Sequence, residues 1–405
     1  RDRYVIEIQY LRNYVPMNER PIEIVERKGT GHPDTICDGI GERIALYFTR
    51  YYYENFGYPL HFNIDKCVLA GGRSKPKFGG GKIIEPILLH FVGRATLNVK
   101  TESGEESVPV GTLVREAVVD WIRDNFRFLD PIRHVSIIYT IRPGSVDLRS
   151  VFERIREGEI PLANDTSIGV GFYPLSDTEK LCLETERYLN SREFKNRYPA
   201  VGEDIKVMCV RQHNKINITV AVAMVDREIR NPTEYISLKD ELHEILSSHL
   251  SKFTPLDFNI AINTADNPQR DIFYLTVTGT SAESGDDGQI GRGNRWNGLI
   301  TPLRYMSIEA YAGKNPVSHV GKIYQFAAQH AAEKIYRETH VDEVYVLLVS
   351  TIGKPITEPQ LAYIQYVAKE KSSDIENDMK SILQDVLDFL PKFWTEFIKG
   401  KLSPS

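Results

Sequence analysis

Residues 281–322, SAESGDDGQIGRGNRWNGLITPLRYMSIEAYAGKNPVSHVGK, gather the side chains best suited to chemistry. Gly recurs at 285, 288, 291, 293, 298, 313 and 321, with Asp286, Asp287, Arg292, Arg295, Lys314 and Lys322 between. Glycine lets a ligand approach main-chain N–H groups with no Cβ in the way. Interleaved Arg and Lys offer the donors and positive charge that phosphate oxygens take, and Asp offers the hard oxygens that Mg²⁺ takes. That combination predicts a site for a polyphosphate and its metal. The competing reading is a long surface loop rich in turn residues.

A second cluster, KGTGHPDTICDGI at 28–40, opens a helix. Ile36, Ile40, Ile44 and Phe48 recur every four positions, Pro33 stands at the first turn and Gly57 closes the far end, which predicts a helix over 34–56. His32 precedes a proline and is therefore extended, at the helix mouth. Free N–H groups and partial positive charge draw anions there, and Gly29 and Gly31 leave room for one. Asp34 falls in the first turn, where a carboxylate either holds a metal or stabilises the dipole by about 0.3–1 kcal/mol with no ligand. Asp34, Asp38 and Glu42 share one face and read as a solvated ridge.

Weaker signals lie elsewhere. GGRSKPKFGGGK at 71–82 carries Arg73, Lys75, Lys77 and Lys82 among glycines, as a lid over an anion or as a disordered hairpin tip. A strand over 133–141 runs into Arg142, Pro143, Gly144 and Ser145, with a helix expected from about Val146; Gly144 and Ser145 would then cradle a phosphate. Asp165 stands in a turn before a strand, and Lys215 follows a His-Asn turn between two strands.

The elements that must position these residues read as α/β (α+β). Strand pairs followed by one long helix recur three times, at helices 34–56, 176–196 and 319–338, with further helices at 110–126 and 233–250 and within 357–399. A chain of 405 residues is too long for one ordinary core. We divide it into 1–140 with the GHPD motif, 141–265, and 266–405 with the glycine-rich loops, with segments interleaved. No apolar run reaches bilayer length and no signal-peptide order opens the chain. The four cysteines show no metal-ligand spacing, and free thiols in a reducing cytoplasm account for them. A net charge of −5 disfavours broad nucleic-acid binding. A kinase is disfavoured because GxxxxGK[ST] and an HRD/DFG pair are absent.

Four blocks together resemble the S-adenosylmethionine synthetase (methionine adenosyltransferase) family, in its archaeal wording: KGTGHPDTICDGI, GGRSKPKFGGGKIIEPI at 71–87, ANDTSIGVGFYPLSDTE at 163–179, and GTSAESGDDGQIGRGNRWNGLITPLRYMSIEAYAGKNPVSHVGKIY at 279–324. The resemblance implies three similar β-sheet-plus-helix domains around a pseudo-threefold axis, in a homodimer with active sites at the interface. It implies ATP and L-methionine as substrates, Mg²⁺ and K⁺ as cofactors, and release of pyrophosphate and phosphate by way of tripolyphosphate. In GHPD, His32 resembles the catalytic histidine and Asp34 a Mg²⁺ ligand, with Gly31 beside the phosphates. Asp165 and Asp286 resemble substrate-binding aspartates, Arg292 the arginine on the polyphosphate, Lys314 the phosphate-loop lysine, and Lys215 a catalytic lysine before a strand.

This chain departs from the bacterial and eukaryotic pattern at Gly293, where a lysine is usual, at Ser318–Val320, where an aspartate is usual, and at Arg73, where a glutamate is usual. A thioether is already a competent nucleophile, so the chemistry asks for in-line positioning and for stabilisation of charge on the leaving group. His32 as an imidazolium, Arg292, Lys314 and Mg²⁺ on Asp34 are expected to supply it.

Overall fold

The computed structural model describes residues 4–404. Its strands form three mixed sheets and a small hairpin. The first sheet holds β3 (Phe62–Ala70), β6 (Ile87–Thr101), β7 (Gly104–Ser107), β8 (Val135–Asp147) and the short β14 (Gly288–Gln289). The second holds β2 (Ile22–Lys28), β10 (Val201–Gln212), β11 (Lys215–Val225), β12 (Asp257–Ile262) and β13 (Leu275–Thr276). The third holds β1 (Ile6–Tyr10), β9 (Ile168–Tyr173), β15 (Glu343–Val349) and β16 (Leu361–Val367), and the hairpin pairs β4 (Arg73–Lys75) with β5 (Lys82–Glu85). Each sheet therefore draws strands from distant parts of the chain.

Helices back each sheet: α1 (Pro33–Phe56) and α2 (Val110–Asn125) on the first, α4 (Asp177–Leu189) and α6 (Pro232–Leu250) on the second, α7 (Val320–Thr339) and α8 (Ser373–Phe389) on the third. Shorter helices are α3 (Leu148–Arg156), α5 (Arg192–Arg197) and α9 (Phe393–Phe397). One continuous core joins the first and third sheets, from Ile40 and Phe48 to Ala327 and Leu383; a second core around Leu181, Val207 and Leu246 lies under the second sheet. Burying each large apolar side chain stabilises by about 1.5–3 kcal/mol.

The apolar stripe of α1 is buried as its period requires, with Ile36, Ile40, Ile44, Phe48 and Tyr52 inside. His32 caps the helix and Gly57, at φ 83°, ends it. Its acidic face, expected to be solvated, is not. Asp34 Oδ1 accepts from Gln289 N at 2.9 Å, Asp38 Oδ1 from Gly291 N at 2.8 Å, and Glu42 Oε1 from Gly313 N at 3.0 Å. Lys322 also donates to Glu42. Successive turns of one helix thus fasten the glycine-rich stretch by its own amides, which a strand or helix would otherwise have satisfied.

Several local expectations fail. The 133–141 strand does not turn at Pro143; β8 continues to Asp147, pairing Gly144 with Thr96 and Ser145 with Asn98. The helix begins at Leu148 with Asp147 as its cap, so Gly144 and Ser145 form no phosphate cradle. The basic 71–82 segment is neither an open lid nor a disordered tip. Lys77 N and Gly81 N donate to Asp226 Oδ2 at 3.0 and 2.8 Å, and Phe78 packs edge-on against Tyr235 and Phe273. The helix expected over 176–196 breaks at Asn190–Ser191 into α4 and α5. All four cysteines are buried and unbridged.

Candidate active site

A cavity of about 1050 Å³ opens between the sheets. Its wall carries Lys28 from β2, Asn63, Asp65 and Lys66 from β3, Asp165 before β9, and Gln289–Gly293, Arg295, Met306–Ala310, Lys314 and His319 from the long stretch. Arg292 and Lys314 from the glycine-rich stretch and Asp165 from the 163–179 block meet there. Arg292 is exposed, and its guanidinium joins no ion pair among the described residues. Lys314 is 5% exposed, and its Nζ lies 3.1 Å from Glu309 Oε1; Ser167 Oγ holds the other oxygen of that carboxylate at 2.8 Å. Met306 and Ile308 add an apolar lip, Ile308 being 97% exposed.

His32 and Asp34 stand at the edge of this cavity, on the first turn of α1. Asp34 is clamped between Gln289 N and Lys28 Nζ, the latter 2.9 Å from Oδ2, and both clamping residues face the cavity. Lys28 Nζ also donates to the Arg292 carbonyl at 2.7 Å. His32 Nδ1 accepts from Asp34 N at 3.1 Å. Burial pushes its pKa down to about 4, aided by the positive charges of Lys28 and Lys206 and opposed by Asp34. The ring is therefore neutral at pH 7, and the expected imidazolium is corrected. With Nδ1 accepting, Nε2 carries the proton and is the donor.

Gly29 and Gly31 are glycine because the backbone packs closely there. A Cβ at Gly29 would lie 2.3 Å from Ile205 O, and one at Gly31 2.4 Å from Asp204 N. These glycines let the loop lie flat on β10, where Gly31 N donates to Glu203 O at 2.9 Å. Asp204, fully buried, accepts from both Ser281 N (2.9 Å) and Ser281 Oγ (2.7 Å), and Thr280 Oγ1 donates to Gly31 O at 2.7 Å. Burial raises Asp204 to about 6. The His32 loop, β10 and the start of the glycine-rich stretch are thus stitched into one unit.

The remaining predicted residues lie apart. Asp286 is exposed on the turn beside Gly71, off the cavity wall, while its neighbour Asp287 accepts from Gly71 N at 2.8 Å. Gly144 and Ser145 lie in β8, bordering none of this wall. Lys215 pairs with Gln212 at the far end of the β10–β11 hairpin, whereas Lys206 pairs with Lys28 beside the His32 loop. Six strand residues separate the two ends, roughly 20 Å at about 3.3 Å per residue. Lys215 is therefore not in the site of its own chain.

The lysine that stands beside the His32 loop is Lys206. Its charge reaches His32, and its Nζ lies 3.3 Å from Glu26 Oε1 on the cavity wall. The signal available in the sequence was a lone lysine in the apolar run IKVMCV, exposed on a strand otherwise buried at alternate positions. Glu309 was missed because nothing in its spacing announces the ion pair with Lys314.

The sequence profile of the S-adenosylmethionine synthetase (AdoMet synthetase) family matches residues 5–401. An S-adenosylmethionine synthase of Pyrobaculum neutrophilum is 48% identical over 391 residues, covering 96% of this chain and 97% of the relative. One from Aeropyrum pernix is 49% identical over 395 residues with the same coverage, and a probable S-adenosylmethionine synthase of Aquifex aeolicus is 48% identical over 387. Among solved structures, an unusual S-adenosylmethionine synthetase from Campylobacter jejuni superposes with a TM-score of 0.59 at 16% identity, over 94% of this chain and 93% of that one, a likeness of fold.

Proposed function

We infer the reaction from the premise that this chain belongs to the S-adenosylmethionine synthetase family and is a transferase. The substrates are ATP and L-methionine: the methionine sulfur lone pair forms the bond to C5′, the C5′–O bond breaks, and its electron pair leaves with the triphosphate. No proton need move in that step. Tripolyphosphate is then hydrolysed to pyrophosphate and phosphate. The observation that carries this reading is the gathering of Arg292, Lys314 and Lys28 with Asp34 around one cavity. Positive charge is placed where a leaving polyphosphate develops negative charge.

Arg292 takes the polyphosphate as an unpaired, forked donor. Lys314, already held by Glu309, offers a second charge, and His32 offers Nε2–H as a neutral donor. Asp165, on the cavity wall, contacts the substrate. Lys206 replaces Lys215 as the lysine beside His32. Asp286, with Gly71, is kept as a substrate contact in the assembled protein.

Among the described residues no group of three or more His, Cys, Asp and Glu is arranged to hold a metal. Mg²⁺ commonly binds through one or two carboxylates together with substrate phosphates. Asp34 fits that mode, because Lys28 on Oδ2 can be exchanged for a metal brought by ATP. Bound there, Mg²⁺ would neutralise charge growing on the leaving group. K⁺ is proposed from family membership alone.

We propose a homodimer of cytoplasmic, archaeal type, each chain with three interleaved domains about a pseudo-threefold axis. Val68, Val92 and Ile138 are exposed on one face of the first sheet, in neighbouring register rows, and Asn63, Asp65 and Lys66 at that sheet's edge line the cavity. A second copy on this face would cover an apolar surface and close the site. No helix is long and apolar enough to cross a membrane among the described residues.

The test is a mass-spectrometric assay with ATP, methionine, Mg²⁺ and K⁺. S-adenosylmethionine with equal pyrophosphate and phosphate is expected. ADP as the nucleotide product would replace this reading with phosphoryl transfer. Gel filtration of an active monomer would overturn the dimer.

A further inference from the structure

His319 is the cap of α7, a helix of 20 residues, and its Nδ1 accepts from Gly321 N at 3.2 Å. That bond fixes the tautomer, leaving the ring's hydrogen on Nε2. Burial, with the positive charges of Lys314 and Lys322, pushes its pKa down to about 3, so the ring stays neutral. His319 is 5% exposed and lines the same cavity as Lys314 and Arg292. Nε2–H meets no acceptor within the chain among the described residues, the one ring bond being that of Nδ1. The nitrogen is not sealed from solvent but opens to the cavity, where a ligand oxygen can replace water as its acceptor.

His32 repeats the arrangement on α1, where Nδ1 accepts from the amide two residues on. The corresponding helix of the second sheet, α4, is capped instead by Ser176 in a capping box with Glu179. Oxygen side chains are the better structural caps, and histidine is not among the preferred ones. Two of these three helices therefore carry an inferior cap that also offers a ring donor. Both are the helices that hold or continue the glycine-rich stretch.

We propose that His319 is a further catalytic residue, donating a hydrogen bond through Nε2–H to a polyphosphate oxygen alongside Lys314 and Arg292. The proposal rests on the reading of the cavity as a polyphosphate site. It puts a donor on the loop that follows Lys314 without adding a charge that titrates near neutrality.

The test uses His319→Ser, which keeps an oxygen cap but withdraws the donor from the cavity, and His319→Asn, which keeps both a capping oxygen and an N–H donor. Binding of inorganic tripolyphosphate with Mg²⁺ is measured by calorimetry, with kcat, the KM for methionine and the unfolding temperature beside it. The Ser variant is expected to bind tripolyphosphate at least tenfold more weakly and to lose kcat, with methionine KM and unfolding temperature unchanged. The Asn variant should recover most of the loss.

Wild-type affinity in the Ser variant overturns the proposal. So does an equal loss in Ser and Asn accompanied by a lower unfolding temperature, since that is a capping effect. Arg292→Ala separates the two levels. If it too leaves tripolyphosphate binding intact, the reading of the cavity has failed; if it abolishes binding while Ser does not, only the role of His319 has.

Discussion

Lys322 is fully buried, and its only anionic partner among the described residues is Glu42, whose same carboxylate oxygen receives the amide of Gly313. The ammonium thus holds the acid that holds the loop of Lys314. Burial pushes the Lys322 pKa down and Glu42 opposes that shift, so the pair stands or falls together. Removing one partner of a buried pair commonly costs about 3–5 kcal/mol because the other is left uncompensated. Lys322→Met should lower the unfolding free energy from urea titration by that order, and Lys322→Met with Glu42→Gln should recover part of it. A double variant no more stable than the single one contradicts this account.

Asp38 carries a pH dependence of definite sign. A carboxyl titrates near about 3.9 in an unfolded chain, and burial raises Asp38 to about 7 in the fold. The folded state then holds more protons between those values. The contribution of Asp38 is whole below the unfolded value and is withdrawn as pH rises through about 7. Relative to Asp38→Asn, the wild type should lose stability between about pH 4 and about pH 7, by at most ~1.4 kcal/mol per pH unit. Parallel urea midpoints across that range would remove Asp38 as the cause.

Replacing His32 by Ala deletes both a cap and a donor. The cap is worth ~1 kcal/mol, so circular dichroism should show a folded protein. Loss of one preorganised donor in a closed site typically lowers kcat about 10²–10³-fold. Turnover within a few-fold of wild type would exclude His32 from the chemistry.

Asp226 holds the basic hairpin by two amides through one oxygen. Asp226→Ala leaves both without an acceptor, at about 1–3 kcal/mol for each group that stays dry. Trypsin should then cut after Lys77 or Lys82 much faster than in wild type. An unchanged digestion rate would show that Phe78 and the Gly79 amide, 2.9 Å from the Ile229 carbonyl, secure the segment without it.

What the sequence disclosed divides along a physical line. The helix α1 was legible because its stripe has the helical period and its ends carry His-Pro and Gly, all local signals. So was the chemistry of the glycine-rich stretch, because Gly, Arg, Lys and Asp declare themselves by type. Local pattern could not say what a polar face meets. Asp34, Asp38 and Glu42 read as solvated because their partners lie some 250 residues away, and for the same reason local pattern could not say which strands share a sheet. At Gly29 and Gly31 the close backbone packing went unforeseen, since packing and ligand access ask for the same residue. Gly144 and Ser145 looked like a turn until β6 paired with them. Lys215 and Lys206 could be told apart only by register, because they lie at opposite ends of one hairpin.

The parallel pairing of β1 with β16, Ile6 opposite Ala362, constrains how the molecule can be made. Once made, β1 waits some 350 residues for its neighbour, roughly 20–70 s at about 5–20 residues per second. During that time its edge is an unpaired template for other chains. The first sheet can close its long strands early, whereas β15 and β16, which join β1 to β9, are synthesised last. A nascent chain stalled before Leu361 therefore carries two nearly formed sheets and a third in fragments, a natural client for chaperones.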